Sequence, residues 1–144
     1  MPERSPAQVY ALLFGVTLVG AGILGFFYSS DFGDPGKVDR VLGILDVNGW
    51  HNMVHIATGA IGLAAARSYG NARVYAIGLG TVYVAIAIWG FIVGDGGTLL
   101  SIVPVNTEDN VLHLLIGIIG LGAGFATPAV QPPTTIRTTE ASQT

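Results

Sequence analysis

Two histidines in this chain of 144 residues sit in matched surroundings. Residues 52 to 63 read "NMVHIATGAIGL" and residues 110 to 121 read "NVLHLLIGIIGL", both of the form N-x-x-H-x-x-x-G-x-I-G-L. An Asn and a His three apart share one face of a helix. There an imidazole can exchange hydrogen bonds or lend a nitrogen lone pair to a metal. The candidate constellation is therefore Asn52, His55, Asn110 and His113, and three chemistries compete for it. In the first it is a clasp between helices, each bond worth ~1 kcal/mol in lipid. In the second, His55 and His113 are the axial ligands of a b-type haem, with Gly59 and Gly117 one turn deeper leaving room for the macrocycle. In the third, His51 joins His55 and His113 with Asp109 or Glu108 as a divalent metal site. Sliding the chain by 58 residues lays His51 on Asp109, so the third set lacks the symmetry of the second, and His51 reads as a solvated residue at a helix start. The expectation is the clasp, with haem b as the alternative and no metal.

The elements that must carry these residues are apolar. Hydrophobic residues make up 51% of the chain, charged residues only 10%, and 21 residues are Gly. The mean hydropathy is +0.61. Four uncharged runs, 9–28, 50–66, 74–93 and 111–127, each approach the ~20 residues that cross a bilayer core as a helix. The duplication extends beyond the histidines. An offset of 65 lays "VYALLFGVTLVGAGILGF" on "VYAIGLGTVYVAIAIWGF", and an offset of 58 lays "LGILDVNGWHNMVHIATGAIGL" on "LSIVPVNTEDNVLHLLIGIIGL". The fold expected is all-α: an integral membrane four-helix bundle made of two tandem repeated hairpins, related by a pseudo-two-fold axis along the membrane normal.

The segments follow from those runs. Residues 1–8 form an N-terminal tail and 9–66 the first hairpin, with a long outer loop at 29–49. An inner link covers 67–73, the second hairpin 74–127, and a Pro/Thr-rich tail, expected to be disordered, 128–144. Within the outer loop "DFGDPG" reads as a turn and "KVDRVLGILDVN" as a short interfacial helix, while Asn48 and Asn106 are placed to cap the second and fourth helices. Arg4, Arg67, Arg73 and Arg137 fall on one side and most acidic residues on the other. The termini are therefore expected in the cytoplasm and the chain in the plasma (inner) membrane, multi-pass. Tyr10, Tyr69 and Tyr75 fall near the inner boundary and Tyr28 and Trp50 near the outer one, where aromatic belts form.

The "HNMVH" and "DNVLH" helix starts with their Gly-rich continuations resemble a family of small actinobacterial and cyanobacterial four-helix membrane proteins, domain of unknown function 4383, over residues 6 to 127. The resemblance implies architecture and location, and it brings no reaction and no catalytic residues. The residues themselves speak against several classes. With no Cys, thiolate chemistry and disulfides are excluded. The apolar runs hold no carboxylate, Lys or Arg, so a hydrolytic enzyme is not expected. No basic cluster suggests nucleic acid. The partners expected are the lipid bilayer and other membrane proteins or further copies, met through the Gly-rich faces.

Overall fold

The computed structural model describes residues 3–33 and 38–132. Among these are four helices: α1 (Pro6–Phe26), α2 (Gly49–Ala65), α3 (Tyr69–Val93) and α4 (Thr107–Ala126). Side-chain caps decide where each begins. The Ser5 hydroxyl accepts from the Gln8 N–H while the Gln8 side chain returns to the Ser5 N–H, and Pro6 occupies the first turn, where no amide donor is needed. The Ser68 hydroxyl accepts from the Asn71 N–H and caps α3, so the helix starts inside the segment read as a link. Asn48 and Asn106 cap α2 and α4 as expected, accepting from the amides of His51 and Asp109. At the far end of α3, Gly94 takes φ 77, a left-handed conformation that ends the helix without a Cβ clash.

The chain is not wholly helical. Where a short interfacial helix was expected, β1 (Asp39–Val41) pairs antiparallel with β2 (Leu45–Val47), Arg40 lying opposite Asp46. A second hairpin joins β3 (Gly97–Leu99) to β4 (Val103–Val105). The physical reason lies in the turn. Leu42 and Gly43 take φ 53 and 74 in succession, and Leu100 and Ser101 take 51 and 61, which turns the chain with the twist of a two-stranded ribbon. The "DFGDPG" turn lies partly, and the tail from residue 133 onward wholly, outside the described residues.

Helix α1 packs along α2 and α3 along α4, and the two pairs meet chiefly where α1 touches α3 and α4. Small residues permit this. The core between the pairs is Ala7, Ala11, Ala65, Ala72 and Ala76 with Tyr10, Leu18, Tyr75, Leu79 and Tyr83. Large apolar side chains point outward instead, including Leu13, Val16, Ile23, Val82, Ile88, Leu115, Ile118 and Phe125. Three of the four helices, α1, α3 and α4, are long and apolar enough to cross a membrane. Helix α2 has 17 residues.

Gly25 and Gly90 receive the amide groups of Asn52 and Asn110, and a Cβ added at either would run into the Asn Oδ1. Ala at either position should therefore lower stability by ~1–3 kcal/mol through overpacking. Gly20→Ala and Gly78→Ala, where a Cβ meets nothing within 4 Å, should be neutral or gain up to ~1 kcal/mol of helix propensity. Unfolding of the detergent-solubilised chain checks both, and equal losses at all four glycines would contradict this packing.

Candidate functional site

At the loop-bearing end of the bundle, the caps of α2 and α4 do two tasks each. While its Oδ1 caps α2, Asn48 donates from Nδ2 to the Ile102 carbonyl at 2.6 Å. Asn106 caps α4 and donates to the Ile44 carbonyl, also at 2.6 Å. Each helix start is thereby bonded to the β-hairpin loop of the other half. Both Asn are buried, where an unmatched amide would cost ~1–3 kcal/mol.

Asp46 is the hub of this end. Its N–H donates to Asp109 Oδ2 at 3.0 Å, its carbonyl accepts from His51 Nδ1 at 2.9 Å, and its carboxylate accepts from Arg40 Nε at 2.8 Å. A carbonyl can only accept, so the His51 proton sits on Nδ1 and the lone pair on Nε2. His51 is 3% exposed, which corrects its reading as a solvated residue. The physical cause is β2, which folds back over the first turn of α2.

The three histidines of the chain converge there. Ring centroids lie 4.5 Å apart for His51 and His55, 6.0 Å for His51 and His113, and 6.3 Å for His55 and His113. One ring nitrogen from each lies within 4.8 Å of the other two. Buried nitrogens without any hydrogen-bond partner occur on all three: His51 Nε2, His55 Nε2 and His113 Nδ1. Tyr83 meets the His113 ring edge-on at 5.1 Å. The acidic residues once grouped with these histidines go elsewhere. Asp109 accepts from the Asp46 and Asn106 amides, and Glu108 is exposed in the first turn of α4.

The four residues singled out by the repeated motif divide into two kinds. Asn52 donates to the Ser29 carbonyl at 2.8 Å, within its own helix pair, and Asn110 packs on Gly90 with its Oδ1 unpartnered. Neither asparagine joins the two pairs. His55 and His113 do approach one another, and Gly59 and Gly117 one turn deeper face neighbouring backbone. A Cβ at Gly59 would lie 2.7 Å from the Gly15 carbonyl oxygen and the Val19 nitrogen, and one at Gly117 2.8 Å from the Val84 nitrogen. What does join the pairs is two tyrosines read from sequence only as interfacial residues. Tyr10 donates to the Ile116 carbonyl at 3.2 Å and Tyr75 to the Thr58 carbonyl at 3.1 Å.

A signal for the missed residues existed. His51 faces Asp109 and Tyr83 faces Leu18 when the two halves of the sequence are aligned, so both break the duplication.

Comparison with known proteins rests on one family model, Domain of unknown function (DUF4383), which matches residues 8–126. The chain belongs to this family. Every element from α1 to α4 lies within the match apart from the first residues of α1. No curated protein and no solved structure matches the chain.

The absence of cysteine makes the site's geometry directly testable. A His51→Cys/His113→Cys double variant should be cross-linked by a short bis-methanethiosulfonate reagent, each thiolate displacing a sulfinate. A His51→Cys/Phe125→Cys pair should not, because Phe125 lies ~18 Å further along α4 at 1.5 Å per residue. The products separate on a gel after cleavage between residues 68 and 100, and equal yields from the two pairs would contradict the arrangement.

Proposed function

We propose that this chain is a four-span protein of the plasma membrane, built from two tandem hairpins with both ends in the cytoplasm, and that it acts as a structural, partner-binding element presenting a rigid outer cap. The observation that carries this reading is a set of reciprocal hydrogen bonds between the halves. Tyr10 and Tyr75, equivalent at an offset of 65, donate to the carbonyls of Ile116 and Thr58, equivalent at 58. Asn48 and Asn106 donate to Ile102 and Ile44, again equivalent at 58. Each half thus holds the other by the same groups, as the two members of a symmetric dimer do. Between apolar helices in lipid such bonds and close packing supply the attraction that burial supplies in water.

At 17 residues α2 extends ~25 Å, enough to cross as the fourth span beside its longer partners. Arg4, Arg67 and Arg73 gather at the opposite end from the β-hairpins, which supports a cytoplasmic assignment for that end. There Gln8 donates to the Ala66 carbonyl and Arg73 to the Thr127 carbonyl, closing the ends of α2 and α4. The Gly-rich faces are consumed within the chain: Gly62 meets the Tyr75 hydroxyl and Gly120 that of Tyr10. Contacts with other proteins therefore fall to the outer cap, where Leu42 and Leu100 stand exposed at the two hairpin tips.

Reporter fusions after residues 70 and 140 should give cytoplasmic activity and a fusion after residue 36 the extracytoplasmic signal, and the reverse pattern would overturn the orientation. The mutual hold is read separately. Tyr10→Phe and Tyr75→Phe should each lower stability by ~1 kcal/mol, because each removes one interhelical hydrogen bond. A double variant no less stable than wild type would remove the support for that hold.

A further inference from the structure

The convergence of all three histidines serves no purpose in holding the hairpins together, since the tyrosines and capping asparagines do that. It is also expensive as it stands. A buried polar atom with no partner costs ~1–3 kcal/mol, and here three such nitrogens lie in one cluster. Among the described residues no carboxylate joins this cluster. If these rings were there to clasp one another, the nitrogens turned toward the cluster would be bonded to each other or to backbone; instead one buried nitrogen on each ring has no partner.

We propose that His51, His55 and His113 form a binding site for one divalent first-row transition ion of the zinc type. Three observations converge on it. First, one nitrogen from each ring already lies within 4.8 Å of the others. Ligands ~2.0–2.1 Å from a tetrahedral zinc stand ~3.3–3.4 Å apart, so small side-chain rotations complete the set. Second, His51 Nδ1 donates to the Asp46 carbonyl, which directs the bare Nε2 lone pair into the cluster and fixes the ring. This is the outer-sphere arrangement that metal-binding imidazoles use. Third, all three donors are imidazoles, a set suited to zinc, copper, iron or nickel and unsuited to magnesium or calcium, which take oxygen ligands.

The duplication adds an independent point. A cluster inherited merely by doubling one hairpin would contain His55 and His113 alone. The third member, His51, occurs in one half only, and its counterpart Asp109 accepts from the Asp46 N–H while His51 donates to the Asp46 carbonyl. That exchange produces a three-ligand site where duplication by itself would have left two. With three protein ligands the ion keeps a fourth position open to water or another small ligand.

The test uses the full chain in detergent, stripped with a chelator and given zinc alone. Elemental analysis should find about one ion per chain, as a single three-histidine site requires. Zinc should raise the melting temperature of wild type, since it binds the folded form, and cobalt in its place should give the visible bands of a tetrahedral nitrogen site. Exchanging any one of His51, His55 and His113 for Gln should weaken zinc binding at least about a hundredfold, more than the loss of an outer-sphere partner would cause. Circular dichroism and the metal-free melting temperature separate lost ligands from lost folding, and the wild-type stoichiometry stands whatever the variants do. Wild type that takes up no zinc, zinc that survives all three substitutions, or a Soret band in its place would overturn the site. None of those results bears on the topology or the tyrosine bonds.

Discussion

Within each helix pair the two backbones approach closely at glycine, and this contact positions the other groups. In lipid, apolar side chains gain little by meeting one another, so a helix pair is held by contact at short range and by hydrogen bonds. Gly59 brings α2 against the backbone of Gly15 and Val19 on α1, and Gly117 brings α4 against Gly80 and Val84 on α3. A side chain at either position would push its helix outward. Because the motif places each histidine four residues before its glycine, the same contact that fixes the helix pair also fixes where His55 and His113 point.

The polar groups at the loop-bearing end follow from that placement. Once the starts of α2 and α4 are held side by side, their unpaired amides must be satisfied, and Asn48 and Asn106 do so while bonding the opposite loop. The two β-hairpins are the outcome of the same requirement. Their strands are only three residues long, too short to stand alone in water. They persist because Val41, Val47, Leu99 and Val105 are buried and because the Asn side chains take up loop carbonyls. Asp46 is where the constraints meet, since both polar groups of its peptide and its carboxylate are engaged at once.

Equivalent positions in the two halves of the sequence divide by what they do. Tyr10 with Tyr75, Asn48 with Asn106, and Asn52 with Asn110 are kept in both halves and lie at contacts that hold helices or loops. Among the positions that differ, His51 (against Asp109) and Tyr83 (against Leu18) lie in or beside the histidine cluster. Packing contacts that both halves must make hold residue types alike, while a single site on or near the axis between them needs only one copy of each ligand.

The apolar helices, their order and the N-x-x-H-x-x-x-G motif are legible along the chain, because hydrophobic run length, Asn capping positions and Gly spacing are local properties. Membership of the family follows from the same local pattern. The remaining features depend on contacts between distant segments. Asn48 and Asn106 reach partners 54 and 62 residues away, and Tyr10 reaches one 106 residues away. His51 belongs to the cluster because β2 closes over the first turn of α2, and that hairpin was misread as a helix: a turn built on left-handed Leu42 leaves almost no mark in sequence. Gly spacing marks a helix face as small, and only the fold shows that a neighbouring backbone comes to lie on it at Gly59 and Gly117. Periodicity tells which face of a helix is special, and the neighbour that occupies it is known only once distant segments are brought together.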